Sequence, residues 1–233
     1  LADGDGSSAL PRTGLAPRVR SRAARSAWAA LALLAAVVAF GVWLRVAGAD
    51  PLPVDRWWHD AAGVDPGSPA FALASALAVV GSGRGAALCA VAAAGALLAT
   101  RRWRDAVALL TAMLIGVILS ETAKALVARP RPLDALLDPP GFSYPSGHSM
   151  GAAALAVSLA LAASAARPGL RRAVWAAAVL WILLMMWSRT AVQVHWLSDT
   201  VAGAALGVSA ALAARALWSL LPTRALPPAG AVP

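Results

Sequence analysis

Six apolar stretches, at roughly 27–46, 83–100, 106–123, 149–166, 174–190 and 200–218, are long enough to cross a hydrocarbon layer as helices. Backbone in lipid must satisfy its own hydrogen bonds, so such stretches cross as helices or not at all. With 60% hydrophobic and 13% charged residues, the chain lies far from ordinary soluble composition. The expected fold is all-α: a polytopic membrane bundle of six transmembrane helices. The segment 70–80 is apolar but too brief to cross and ends in Gly81-Ser82-Gly83. It reads either as an interfacial or re-entrant helix or as an extension of the second span.

Residues 27–46 follow several arginines, as a signal peptide would. Their apolar run is long for one, however, and Trp43 and Arg45 stand where small residues would be wanted, so a retained anchor is expected. Residues 1–25 and 221–233, rich in Gly, Pro, Ser and Arg, are expected to be disordered tails flanking one transmembrane domain over 26–220. No internal repeat is visible. The single cysteine, Cys89, rules out an internal disulfide framework and a cysteine metal cluster.

The net charge of +9 invites a nucleic-acid reading, but its distribution argues for topology instead. Arg12, Arg18, Arg20, Arg22 and Arg25 precede the first stretch; Arg101, Arg102 and Arg104 fill one short loop, and Arg167, Arg171 and Arg172 another. Such loops stay on the cytoplasmic side. Both termini then fall in the cytoplasm, and the segments 47–82, 124–148 and 189–199 emerge on the opposite face of the plasma membrane. Nucleic acid is not an expected partner.

Those outer segments hold the polar strings. Lys124, Arg129, Arg131 and Arg189 bring four cations to helix ends near the interface, where charge is costly and usually functional. Arginine forks suit phosphate oxygens and Lys124 adds a point charge. Snorkelling to headgroups is the competing reading and is the one favoured for Arg129. Pro145-Ser146-Gly147-His148 precedes the fourth stretch, so Ser146 is placed to cap that helix, Gly147 permits close backbone approach, and His148 sits beside an anion-attracting N-terminus. Pro-Ser-Gly is also ordinary turn sequence. His195 and Asp199, four apart at the start of the sixth stretch, are expected to share a helical face, so that the carboxylate orients the imidazole for nucleophilic or base work. A structural hydrogen bond within the bundle explains the same pair.

A metal site is disfavoured, because four cations would oppose a dication and Glu121, Asp134 and Asp138 show no ligand spacing with the histidines. His59, near Trp57 and Trp58, reads as part of an interfacial aromatic belt.

Lys124, six residues, Arg131-Pro132; Pro145-Ser146-Gly147-His148; and Ser188-Arg189, five residues, His195, three residues, Asp199 together resemble the three-part signature of the type 2 phosphatidic acid phosphatase superfamily. The resemblance implies that His195 attacks phosphorus to give a phosphohistidine, with Asp199 orienting it. It further implies that His148 protonates the leaving group, and that Lys124, Arg131, Ser146, Gly147 and Arg189 hold the phosphate oxygens, with no metal or other cofactor. Arg129 matches no fixed position of the signature. The implied substrate is a membrane lipid phosphate whose headgroup meets the site at the non-cytoplasmic interface while its tail stays in the bilayer. Undecaprenyl diphosphate is the first expectation; phosphatidic acid and phosphatidylglycerol phosphate are the alternatives.

Two other classes also fit part of the pattern. A non-catalytic transporter or scaffold binding anionic lipid accounts for the cations but not for both histidines. A vanadium-dependent haloperoxidase shares the motif set, yet those enzymes are soluble and six spans weigh against that reading.

Overall fold

The computed structural model describes residues 17–221, which fold into eight α-helices with no strand among them. They are α1 (Pro17–Val46), α2 (Pro53–Ala62), α3 (Pro69–Gly81), α4 (Gly83–Ala99), α5 (Trp103–Val127), α6 (Gly147–Ala166), α7 (Arg171–Ala191) and α8 (Leu197–Leu220). The first helix is longer than expected. Its Arg- and Ala-rich start is good helix-forming sequence, and it begins at Pro17, so residues 17–25 extend the first span rather than a disordered tail. The rest of both expected tails lies outside the described residues.

Five helices are long and apolar enough to cross a membrane: α1, α5, α6, α7 and α8. The stretch expected to span over 83–100 is α4, and the 70–80 segment forms a separate helix, α3, directly ahead of it. Helix α4 has 17 residues, about 25 Å of rise, which falls short of a bilayer core of roughly 30 Å. It qualifies only together with α3, from which it is bent by 64°. The bend has a local cause. Ser82 caps α4 by accepting from the backbone N–H of Gly85 at 3.1 Å, restarting the helix. Any side chain at Gly85 would collide with the carbonyl oxygens of Val79 and Val80, so only hydrogen fits inside the fold-back.

Helices α6 and α8 form the enclosed centre, and their contact is built from small residues. A Cβ on Gly203 would collide with the carbonyl oxygen of Ser146, and one on Gly207 with that of Met150. This close backbone approach is how helices gain packing energy in lipid, where no hydrophobic drive separates leucine from acyl chains. Ala153 and Ala154 lie against Gly207, and Ala211 and Ala214 pack with Val157, continuing the tight seam.

The arginine loops gather at one end of the bundle. Arg102 donates to the Ala162 carbonyl at 2.6 Å, Arg104 to those of Trp218 and Leu221, and Asp105 pairs with both Arg102 and Arg215. These cations close the C-terminal ends of α6 and α8, where carbonyls lack intrahelical partners. The opposite end holds the polar strings, together with the short helix α2.

Candidate active site

The loop 128–146 leaves α5 through Ala128, whose left-handed backbone (φ 52°) ends the helix, and returns to α6 at Ser146. Ser146 caps α6, accepting from the N–H of Ser149 at 3.4 Å, and its own N–H donates to the carbonyl of Asp199 at 3.0 Å. That bond joins the second polar string to the third. A Cβ on Gly147 would stand 3.4 Å from Nζ of Lys124, so the absent side chain leaves the ammonium against the α6 N-terminus. Lys124 is also held by Glu121 at 2.6 Å.

His195 and Asp199 meet, but not by sharing a helical face. Trp196 is the N-cap and α8 begins at Leu197, so His195 lies outside the helix. Asp199 reaches back to accept from the Trp196 N–H at 3.0 Å, and this turn brings the carboxylate within 3.8 Å of Nδ1 of His195. That gap exceeds a hydrogen bond. Ser143 bridges it: its hydroxyl donates to Oδ2 of Asp199 at 2.5 Å, leaving its oxygen 3.4 Å from Nδ1 of His195 to accept the ring proton. With that proton on Nδ1, Nε2 carries a lone pair. Burial pushes the His195 pKa down to about 4, opposed by the Asp199 carboxylate and assisted by Arg131 and Arg189.

The cations divide by what their N–H groups do. Arg131 spends its fork on the carbonyls of Pro140, Gly141, Phe142 and Val194, with Nη1 also 3.2 Å from Nε2 of His195. Its pKa is lowered by burial, with Asp199 opposing. Arg189, 2% exposed, has neither an Nε nor an Nη1 partner within the protein. A buried guanidinium with idle donors is costly unless an anion completes it.

Arg129 departs furthest from expectation. It does not snorkel: it is 0% exposed and forms ion pairs with Asp55 of α2 at 2.8 Å and with Asp199 at 2.6 Å. Its partner in α2 is 74 residues away in the chain, which is why the surrounding residues gave no hint of it.

His148 starts α6 and its Nε2 lies 3.1 Å from the carbonyl oxygen of Ala78 in α3, which places the Nε2 proton there. Gly81 abuts the same ring; a Cβ would come within 2.9 Å of its Cδ2. The bent helix therefore contributes to the site, a role its sequence did not announce. His148 lies within electrostatic reach of Arg189, His195 and Lys124. His59 pairs with Asp134 at 2.9 Å and packs on the Trp196 ring, adding a polar tether to its aromatic setting. Among the described residues, no group of three or more His, Cys, Asp or Glu gathers as metal ligands would.

All three polar strings thus converge on one end of the bundle around an oriented imidazole and unsatisfied cationic donors. Fold and site define a multi-pass membrane protein with a buried cationic cluster suited to an anion. Residues 105–222 match the PAP2 superfamily model, which is half of the chain, and the chain belongs to that superfamily. An undecaprenyl-diphosphatase of Sulfolobus acidocaldarius is 30% identical over 118 residues, covering 48% of this chain and 54% of the relative. The match thus spans about half the length of that relative. The crystal structure of a transmembrane PAP2-type phosphatidylglycerolphosphate phosphatase from Bacillus subtilis superposes with a TM-score of 0.68 at 22% identity, over 82% of this chain and 96% of that one. It has the same fold.

Proposed function

We propose that this protein hydrolyses a lipid phosphate or diphosphate through a phosphohistidine on His195, without a metal. The observation that carries this reading is the pairing of a buried, incompletely bonded Arg189 with an imidazole whose Nε2 lone pair faces the same cluster. In the first step Nε2 of His195 attacks phosphorus; the N–P bond forms as the P–O bond to the leaving group breaks. His148 delivers the proton to the departing oxygen. For this step His148 enters as the imidazolium beside the bound phosphate: its Nε2–H stays on the Ala78 carbonyl, its Nδ1–H is the proton delivered, and the neutral ring then takes a proton at Nδ1 from the attacking water. Water then attacks phosphorus and gives its proton back to His148, the N–P bond breaks, and phosphate leaves. Asp199 orients His195. Lys124, Arg131, Arg189 and the α6 N-terminus at Ser146 and Gly147 hold the phosphate oxygens. Positioning and charge stabilisation are most of what phosphoryl transfer requires. The cations here do the neutralising that a metal does in kinases.

The substrate is a membrane lipid, with undecaprenyl diphosphate first and phosphatidic acid or phosphatidylglycerol phosphate as the alternatives. An apolar cleft of about 320 Å³ between α1 and α5, lined by Val38, Gly41, Leu119, Ala123 and Tyr144, suits a hydrocarbon chain. The name of the Sulfolobus relative favours the polyprenyl substrate. The positive-inside distribution of the arginine loops supports a site on the extracytoplasmic face with both termini in the cytoplasm.

The deciding experiment is phosphate release by purified wild-type and His195→Ala protein, in detergent with EDTA, from the three lipids and a soluble phosphate ester. Release that requires His195 and favours undecaprenyl diphosphate is the expected result. Undiminished release by His195→Ala would remove the covalent mechanism, and no release from any substrate would favour an anionic-lipid-binding role.

A further inference from the structure

Arg129 uses every part of its fork on partners that have nothing to do with holding a ligand. Nη1 donates to Oδ1 of Asp199 at 2.6 Å and to the Ser198 hydroxyl at 2.8 Å. Nη2 donates to Oδ2 of Asp55 at 2.8 Å and to the Asp50 carbonyl at 3.2 Å, and Nε to the Ala49 carbonyl at 3.3 Å. All three charged side chains are fully buried. Asp55 is anchored in turn by the N–H of Leu52 at 3.0 Å and by both the N–H and the hydroxyl of Ser198 at 2.8 Å. The two oxygens of Asp199 therefore have separate duties. Oδ1 belongs to Arg129, while Oδ2 takes Ser143 and the Trp196 N–H and faces His195.

We propose that Arg129 and Asp55 are positioning residues that lock the Asp199 carboxylate toward His195 and set how much of its charge the imidazole feels. This rests on the reading of His195 as the nucleophile. Three ions in a row, carboxylate, guanidinium and carboxylate, act alternately on the ring at the end of the row. Arg129 offsets the charge of Asp199 and so restrains the basicity of His195; Asp55 offsets Arg129 and so restores part of it. Too strong a carboxylate would keep His195 protonated and without a lone pair, and too weak a one would leave the ring unoriented.

The alternation predicts shifts of opposite sign, which a purely structural clamp would not produce. The other groups facing His195 stay constant in the test: Ser143 and Arg131 from the 128–146 loop, His148 from α6, Arg189 from α7 and Asp199 itself from α8. The experiment is kcat/KM against pH on a soluble phosphate ester, in detergent with EDTA, for wild type, Arg129→Gln, Arg129→Lys, Asp55→Asn and His195→Ala. Arg129→Gln should move the acid limb up by about one pH unit, as expected on losing a nearby cation, and lower kcat about 10- to 100-fold. Asp55→Asn should move the limb down, and Arg129→Lys should return it toward the wild-type position. Should Arg129→Gln fail to fold, the downward shift in Asp55→Asn decides alone. Limbs that coincide with wild type while His195→Ala is inactive would overturn this inference and leave the nucleophile standing. An active His195→Ala would overturn both.

Discussion

Nη1 of Arg131 lies 3.2 Å from Nε2 of His195 and 2.7 Å from the carbonyl oxygen of Val194, the residue before it. A guanidinium only donates, so the ring nitrogen it meets is the unprotonated one. The same arginine thereby holds the 192–196 turn and marks the nitrogen that carries the lone pair. Anion binding would exchange an Arg131 contact with His195 for one with a phosphate oxygen, freeing Nε2 to attack as the cation is neutralised.

A pH dependence follows. Burial lowers the His195 pKa from 6.5 to about 4, so the neutral ring persists well into acid. The acid limb of kcat/KM is expected nearer pH 4 than 6.5, and a limb at the ordinary histidine value would contradict the buried geometry. Stability runs the same way. Between pH 6.5 and 4 the unfolded chain takes up a proton at this position that the folded one does not, so stability falls across that window and the contribution levels off below it. His195→Gln should flatten that part of the unfolding-midpoint profile.

Ser143 offers a test of the bridge between imidazole and carboxylate. Ser143→Ala removes the hydroxyl that fills the 3.8 Å gap and leaves Nδ1 of His195 without its nearest acceptor. The loss should be about 1–1.5 kcal/mol of orientation, or roughly 10-fold in kcat, with KM little changed. Steady-state kinetics on the soluble ester read the split. An unchanged kcat would mean that His195 and Asp199 bond directly during turnover.

Packing at the α6–α8 crossing should be intolerant. Gly203→Ala drives a methyl group into the Ser146 carbonyl, the backbone that caps α6 and faces the site. Overpacking of this kind costs about 1–3 kcal/mol and should lower both the unfolding midpoint in detergent and phosphate release. Gly95→Ala in α4, where a Cβ meets nothing within 4 Å, should be neutral or slightly stabilising.

The α1–α5 cleft can be filled without touching the polar cluster. Val38, 55% exposed, lines it from α1. Val38→Trp should raise KM several-fold for a long-chain lipid phosphate and leave the soluble ester unaffected. Equal effects on both substrates would detach the cleft from substrate binding.

The spans and the three polar strings were readable because both are local signals: runs of apolar residues, and short motifs at fixed spacing. Ser146 is a cap by its position before α6, and its structure follows directly. The relations that organise the site were not readable in the same way, since they join residues far apart in the chain. Asp55 and Arg129 are separated by 74 positions, and His148 and Ala78 by 70. A lone arginine near a helix end gives no sign that two buried carboxylates await it. Four-residue spacing suggested a shared helical face for His195 and Asp199, whereas a capping turn brings them together. The break before the second span was legible, since Gly81-Ser82-Gly83 ends the 70–80 stretch, but hydropathy could not choose between a re-entrant segment and an extension of that span, nor register the 64° angle set by one serine cap and one glycine.

That bend frees the Ala78 carbonyl. In an unbroken helix its oxygen would accept the N–H of Ser82, but that N–H turns instead to Val79 at 3.3 Å, and His148 takes the vacated acceptor. A hinged pair answers a change in bilayer thickness by opening or closing its angle, where a straight helix can only tilt. On the proposed mechanism, in which His148 exchanges the leaving-group proton, this bend would couple hydrophobic mismatch to the reaction through the Ala78–His148 contact, and the surrounding lipid would act on turnover as well as dissolve the protein.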